Sequence, residues 1–229
     1  MNQIATVMKM HAKDKVMWLI VPWCYVLLPS FLINLAIGLI FRPEKGLYTG
    51  GLSSIFVCMM IVGIVTLTQN FPFALGMSIR RTDFFLGTVM MVVAVCLGIS
   101  VVLLAFSLVE GNGGWGIGLH FFNLPYLSDG SLSDRWWTLF ATALHMTFLG
   151  FFFNAIFRRF GRAGLSVLFS VILLAGSVLG FLCTYYGWWM DFFNWLTGHS
   201  AAQLASWLFG VTVIYVLLSF LMIRKATVA

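Results

Sequence analysis

The chain has 229 residues, of which 61% are hydrophobic and 9% charged, and its formal net charge is +6. This composition excludes an ordinary soluble domain and predicts an integral membrane protein. We expect contact with membrane lipids and none with nucleic acid, because basic residues at a cytoplasmic membrane surface face anionic lipid headgroups.

Residues 1–15 combine apolar and basic side chains at helical spacing. Ile4 and Val7 oppose Lys9, His11 and Lys13. This pattern is typical of an amphipathic helix that lies on the inner membrane surface with its apolar side down. An ordinary basic flank of the first span is the alternative. In both cases the basic cluster places the N-terminus in the cytoplasm.

The rest of the chain divides into apolar runs separated by polar or glycine-rich segments. Since crossing the hydrocarbon core takes roughly 20 apolar residues, six of these runs are long enough to span a membrane. The sequence predicts an all-α polytopic membrane protein, a single transmembrane domain over residues 1–229 with a short cytoplasmic tail at 224–229. The predicted spans are about 16–41, 52–73, 84–109, 136–157, 163–186 and 204–223.

Two features modify this regular pattern. Pro22 and Pro29 lie inside the first span, and because each removes a backbone donor, we predict a kink there. Residues 187–199 are aromatic but punctuated by polar side chains, too polar for a span and too apolar for a free loop. We predict a re-entrant or interfacial helix in this segment, on the outer side before the last span, with irregular backbone buried against protein.

The distribution of charge predicts the topology. With six spans and a cytoplasmic N-terminus, ten of the thirteen basic residues fall on the cytoplasmic side, as the positive-inside rule requires. The C-terminus is then cytoplasmic as well. The ten are Lys9, Lys13, Lys15, Arg80, Arg81, Arg158, Arg159, Arg162, Arg224 and Lys225.

Few residues offer chemistry inside the predicted spans. Every carboxylate lies at a span end or in a loop, and His145 is the only titratable side chain deep in a span other than thiols and tyrosines. A satisfied packing residue is the favoured interpretation of His145, with a proton relay or an intramembrane enzyme with a nearby serine as alternatives. The sequence has neither HExxH nor GxxxxGK[ST]. We therefore predict no catalytic residue, no metal site and no enzyme activity in this chain by itself.

A short charged segment separates the second and third predicted spans. It contains glycine, serine, two arginines, an aspartate and two phenylalanines within a dozen residues. Together with the N-terminal amphipathic helix, six spans and a half-inserted helix before the last span, it resembles the type-2 class of ATP-binding-cassette exporter permeases, in particular small bacterial members. The chain departs from members that carry a large outer domain, since it has none. The segment reads Gly76-Met77-Ser78-Ile79-Arg80-Arg81-Thr82-Asp83-Phe84-Phe85-Leu86-Gly87.

The resemblance implies a permease subunit that moves an amphiphilic substrate, such as a lipid, peptide or antibiotic, out of the bacterial cytoplasmic membrane by alternating access. ATP and Mg²⁺ would bind to a separate ATPase subunit, so no cofactor is expected in this chain. The charged segment would be a coupling helix, with Arg80 and Arg81 pairing to acids of the ATPase and Phe84 or Phe85 filling an apolar slot. A plain positive-inside loop is the alternative. The candidate coupling residues are Gly76, Ser78, Arg80, Arg81, Thr82, Asp83, Phe84 and Phe85.

The fifth predicted span carries small residues at i, i+4 spacing. These pairs, Ser166 with Ser170 and Gly176 with Gly180, permit close helix approach. Packing within the subunit is one interpretation. The resemblance implies a dimer with a second permease, identical or homologous, and makes this face the candidate interface. A membrane accessory or immunity protein that binds a partner without transporting is the alternative function.

Overall fold

The computed structural model describes residues 3–41, 46–111, 113–128 and 130–224. Within these ranges the chain is overwhelmingly helical, and five helices are long and apolar enough to cross a membrane. The prediction of a helical chain with several helices that could span a membrane is confirmed at this level. The helices are α1 (Gln3–Lys13), α2 (Val16–Leu27 continued by Leu28–Phe41), α3 (Ser53–Val65 continued by Thr66–Asn70 and Phe71–Gly76), α4 (Arg81–Glu110), α5 (Leu132–Tyr186), α6 (Trp189–Thr197) and α7 (Ala201–Arg224).

The prolines of α2 have different local effects. Val16–Leu27 has the wide turns of a π-helix with Pro22 inside, and Leu28–Phe41 is a regular α-helix. Proline lacks a backbone N–H and its ring clashes with the carbonyl of the preceding turn, so wider turns around Pro22 relieve the clash. Pro29 follows directly on these wide turns in the continuous helix, and the N–H of Leu28 beside it still bonds five residues back, to the carbonyl of Trp23. The predicted distortion is therefore located in Val16–Leu27, between and around the two prolines.

The amphipathic segment is a helix, as predicted, but its inner face packs on protein. Val7 and His11 are both fully buried. A Cβ on Gly87 would press against Val7 and the backbone of Ile4, so α1 lies directly against the start of α4. The expectation that His11 belongs to the polar face is wrong, because this histidine points into the contact between the two helices.

The centre of the bundle is a close crossing of α3 and α5. A Cβ on Gly63 would overlap the backbone of Thr147, and a Cβ on Gly150 would overlap the backbone of Met60. Glycine is needed at both positions because the two helix backbones touch there. Phe148, next to the crossing, is buried. The contact fixes α3 and the first half of α5 as one unit.

Helix α5 is 55 residues long and is broken at Gly161, which has φ 67° and ψ −161°. The rings of Phe153 and Phe169, equally far along the chain from Gly161, lie 5.6 Å apart. The chain therefore turns back on itself at the glycine. The predicted fourth and fifth spans correspond to residues 132–160 and 162–186. All of 162–186 is described, and none of these residues is buried.

Helix α7 runs alongside the first half of α5. The ring of Trp137 contacts Phe209 at 5.3 Å between centroids, and the ring of Phe152 stacks on Tyr215 at 5.0 Å. Both pairs advance in the same direction along the chain, so the two helices are parallel. Two parallel helices in one chain need a segment between them that runs in the opposite direction. Residues 162–186 form this segment.

One end of the bundle is closed by a short parallel pairing and a loop. Strands β1 (Leu47–Tyr48) and β2 (Leu119–His120) pair in parallel, and the rings of Tyr48 and His120 stack at 4.6 Å. The hydroxyl of Tyr126 donates to the carbonyl of His199 at 2.5 Å and so joins the loop to the segment after α6.

The same loop is held by one carboxylate. Glu110, the last residue of α4, is 3% exposed. It accepts hydrogen bonds from the backbone N–H groups of Phe121 (2.6 Å), Phe122 (2.9 Å) and Asn123 (2.6 Å) and from the indole of Trp115 (3.0 Å). Charge-assisted bonds of this kind are about twice as strong as neutral ones. Glu110 therefore ties residues 115–123 to α4.

The outer helix differs in part from its prediction. Residues Trp189–Thr197 form α6, so a helix exists before the last long helix. The predicted irregular backbone buried against protein is wrong, because the backbone is regular and none of the residues of α6, all of them described, is buried. Aromatic side chains such as Trp189, Phe193 and Trp195 are exposed instead. This exposure favours the interfacial alternative.

Candidate partner interface

The segment predicted as a coupling helix is a tight turn. Helix α3 ends at Gly76, Ser78 has a left-handed φ of 59°, and α4 begins at Arg81. The turn is closed by hydrogen bonds from the N–H of Ser78 to the carbonyl of Leu75 (2.9 Å) and from the N–H of Ile79 to the carbonyl of Ala74 (3.1 Å). Among the described residues, no separate helix lies between α3 and α4. Ile79 is buried under the turn, and Arg81–Phe85 already belong to α4.

The two phenylalanines of the predicted coupling residues are part of this chain's own core. Phe84 is 0% and Phe85 4% exposed. The ring of Phe84 lies 5.4 Å from that of Phe71, and the ring of Phe85 lies 5.2 Å from that of Phe220. The expectation that either side chain fills a slot in an ATPase is wrong for this conformation, since both would first have to leave the bundle.

Other apolar side chains are exposed at the turn. Phe73 is 58% and Met77 45% exposed, and Arg80 is also exposed. We call Phe73, Met77, Ser78 and Arg80 the turn surface. Phe73 and Met77 were not among the residues predicted from the sequence. Their spacing of four residues, which places side chains on one face of a helix, is the signal that could have identified them.

The remaining predicted coupling residues lie around this surface. Gly76 and Thr82 are exposed, and Asp83 is half-buried in the first turn of α4, where a negative charge favours a helix N-terminus. Arg81 is half-buried and donates from Nη1 to the carbonyl of Arg224 at 3.0 Å. The backbone N–H of Arg80 donates to Oε1 of Gln3 at 3.2 Å. The turn is thereby connected to both α1 and α7.

A buried histidine joins α1 to the helices on either side of the turn. Thr88 Oγ1 donates to the carbonyl of Phe84, so it accepts from Nε2–H of His11 at 3.0 Å. Nδ1 of His11 then accepts from the amide of Asn70 at 3.2 Å. Burial lowers the pKa of His11 to about 4, against an opposing effect of Asp14. The docked α1 therefore requires a neutral imidazole.

Acidification is expected to release α1. Because the folded pKa of His11 is about 4 and the ordinary value is 6.5, this contribution to docking is complete above pH 6.5 and is lost as the pH falls toward 4. At about pH 5 the loss is about 2 kcal/mol. A spin label at Ala12→Cys, in a background with Cys24 and Cys183 replaced by alanine, should become more mobile between about pH 7.5 and about pH 5.

The matched control for this measurement is His11→Gln, which retains the other three histidines. Its label mobility should be independent of pH over the same interval. A pH response of equal size in His11→Gln would contradict the role of His11 and assign the response to another group.

The widened part of α3 is stabilised from α5. Residues Thr66–Asn70 form π-type turns, which release backbone carbonyls from the helix. The amide of Asn154 donates to the carbonyl of Ile64 and to the hydroxyl of Thr68. Arg158 donates to the carbonyl of Thr68 at 2.8 Å. Arg158 therefore has a structural role at the base of the turn surface besides its charge.

The predicted small-residue face is exposed. Ser166, Ser170 and Gly176 are exposed and Gly180 is half-exposed. A Cβ on Gly176 or Gly180 would meet no described atom within 4 Å. Packing within the subunit, one of the two interpretations of this face, is therefore wrong. A contact with a second permease stays a prediction.

His145 is held as a packing residue would be. Thr212 Oγ1 donates to the carbonyl of Leu208 and so accepts from Nδ1–H of His145 at 2.9 Å. The imidazole also lies 5.6 Å from the ring of Tyr215. Within the described chain, no serine hydroxyl is hydrogen-bonded to His145. The geometry favours packing over a nucleophile and base pair.

No protein-family model matches this chain, and no curated protein and no solved structure was found to be similar to it. The likeness to exporter permeases therefore rests on the sequence pattern alone. The geometry of the turn surface stands independently of that likeness.

Proposed function

We propose that this chain is the permease subunit of an ATP-driven exporter in a bacterial cytoplasmic membrane, with six spans and both termini cytoplasmic. The proposed spans are 16–41, 50–76, 81–110, 132–160, 162–186 and 201–224. The reversal at Gly161 supports counting α5 as two crossings. The polar contacts of α1, the turn, Arg158 and Arg224 then fall at the basic, cytoplasmic end.

The observation that carries the proposal is the turn surface. Phe73 and Met77 are 58% and 45% exposed beside Arg80, at the end of the molecule that the proposed topology places in water. Aromatic, methionine and arginine side chains are enriched in protein interfaces. A cytoplasmic protein with an apolar slot flanked by carboxylates fits this surface, and the ATPase subunit is the proposed partner.

The connections of the turn suggest how a motion of the ATPase would reach the spans. Gln3 binds the backbone of Arg80, and Arg81 binds the last turn of α7. A displacement of the turn would therefore act on α1, α3, α4 and α7 together. Alternating access of a dimeric permease, with the cavity between its two subunits, is the mechanism we propose for this displacement.

The substrate is proposed to be amphiphilic. Exposed aromatic side chains concentrate from the end of α5 through α6, including Tyr185, Trp188 between the two helices, and Trp195. Such rings prefer the level of the lipid headgroups. A belt of this kind at the outer end would receive a molecule that is partly apolar and release it into the outer leaflet.

The experiment is co-purification of this chain from membranes with any ATPase that carries GxxxxGK[ST] and is encoded in an adjacent reading frame, with ATP hydrolysis measured in nanodiscs. Arg80→Glu should weaken the complex by roughly tenfold or more, since charge reversal at an interface both removes a pair and adds repulsion. The double variant Phe73→Ser/Met77→Ser should weaken it as well. Arg162→Glu reverses an exposed charge outside the turn surface and should leave the complex intact.

The opposite outcome is also informative. An ATPase that binds Arg80→Glu and Arg162→Glu equally well would reject the turn surface as its docking site. Failure of the unmodified chain to bind any ATPase would reject the exporter assignment and favour a non-transporting accessory protein.

A further inference from the structure

A cavity of about 240 Å³ lies at the outer end of the bundle, between α3, α4, the loop after α4 and the start of α5. Its walls are mostly apolar and include Phe56, Val57 and Leu139. The volume is far above the roughly 10–15 Å³ that one water molecule requires. The cavity therefore has room for part of an organic ligand.

A single arginine stands at this cavity. Arg135 lines it, and the Nε–H of Arg135 is buried without a hydrogen-bond partner among the described residues. The carboxylate next to it in the chain, Asp134, binds Ser131 at the start of α5, and Glu110 at the end of α4 binds the loop backbone. A buried donor without an acceptor is costly and calls for an explanation.

We propose that this cavity binds an anionic phospholipid, with part of one acyl chain against the apolar walls and the phosphate at Arg135. A guanidinium binds phosphate through two parallel hydrogen bonds, so the phosphate supplies the acceptor that Nε lacks. The hydroxyls of Ser107 and Ser128 also line the cavity. The hydroxyl of Ser107 already donates to Oδ1 of Asn123 at 2.5 Å, so Arg135 remains the group that carries the charge complementarity.

Other occupants fit these walls less well. A purely apolar molecule would leave the Nε–H of Arg135 unpaired. A peptide would bring backbone N–H and C=O groups against apolar walls, where each unpaired group costs free energy. An acyl chain with one negative head matches both the walls and the charge. This inference concerns the chain alone and holds whether or not an ATPase docks at the turn surface.

The test measures lipid binding to the purified full chain by native mass spectrometry, with phosphatidylglycerol as the probe and phosphatidylcholine for comparison. Phosphatidylglycerol should bind more tightly. Arg135→Ala should weaken its binding by roughly tenfold or more, the loss expected for a charge-assisted contact. Arg135→Lys should lose less, because the charge remains. Arg162→Ala, an exposed arginine at the other end, should have no effect.

A second variant keeps the test decisive if Arg135→Ala does not fold. Val57 lines the cavity but is 47% exposed, so Val57→Trp fills the apolar part without disturbing the core. It should abolish tight phosphatidylglycerol binding with Arg135 intact. Binding that is unchanged in both variants, or equal for the two phospholipids, would overturn the proposal. Tighter binding of laurate than of phosphatidylglycerol would also overturn it, in favour of a free fatty acid.

Discussion

Replacing Glu110 with alanine is expected to release the loop between α4 and α5 and to lower the free energy of unfolding by about 3 kcal/mol or more. The carboxylate of Glu110 accepts from three consecutive backbone N–H groups, those of Phe121, Phe122 and Asn123, at the buried end of α4. Without it these donors are buried and unpaired. Hydrogen exchange of the amides in residues 113–128 should accelerate strongly, and thermal melting in detergent should shift downward.

Two matched variants identify the cause. Glu110→Gln keeps the side-chain shape but offers one acceptor oxygen and adds two donors, so its effect should be intermediate. Asp191→Ala removes an exposed carboxylate of α6 and should change neither measurement. Exchange in Glu110→Ala as slow as in the unmodified chain would show that apolar packing of Phe121 and Phe122 holds the loop instead.

The second large effect is expected at the crossing of α3 and α5. An added Cβ in Gly150→Ala would overlap the carbonyl of Met60, and a backbone atom cannot move aside by changing a rotamer. The helices must separate, at a cost of about 1–3 kcal/mol or more. The apparent melting temperature, measured by fluorescence-detected gel filtration, should fall clearly. Gly63→Ala should behave in the same way because Gly63 faces Thr147.

A glycine in an open position provides the control. Gly98 lies inside α4, and a Cβ there meets no described atom within 4 Å. Alanine has the higher helix propensity by up to about 1 kcal/mol, so Gly98→Ala should leave the melting temperature unchanged or raise it. Equal melting temperatures for Gly150→Ala and Gly98→Ala would contradict a contact between the two backbones.

The long helices could be predicted from the sequence because hydropathy is a local property. The second predicted span, 52–73, lies within the observed 50–76, and the third, 84–109, lies within Arg81–Glu110. The ends shifted outward because charged residues such as Arg81 and Glu110 are still helical, with Arg81 bonded to the carbonyl of Arg224 and Glu110 bonded to the loop backbone. Hydropathy also separated residues 163–186 from 136–157, at the position where Gly161 breaks α5.

The site could be predicted only in part, because burial depends on contacts between distant segments. Phe84 and Phe85 follow two arginines in the chain, which suggested exposure, but their rings meet Phe71 and Phe220. His11 lies among lysines, yet its partners are Asn70 and Thr88. No local pattern contains these pairings, since each joins residues far apart in the sequence.

The roles of two polar side chains were equally hidden. Glu110 looked like the first residue of a polar loop, and Arg158 like one of several basic residues at the membrane surface. Glu110 accepts hydrogen bonds from the backbone N–H groups that follow β2, and Arg158 donates to the carbonyl of Thr68. Their roles therefore depend on backbone groups elsewhere in the chain. A sequence shows charges but not which distant backbone atoms are left without partners.

The exposure of residues 162–186 has a consequence for work outside the membrane. Because this segment, described throughout, buries no residue against the rest of the chain, its apolar side chains must be covered from outside the chain, by hydrocarbon or by a second permease. In an isolated subunit its orientation is then a property of the medium. A detergent micelle and a lipid bilayer of different thickness would hold this arm at different angles while the remaining helices stay as they are.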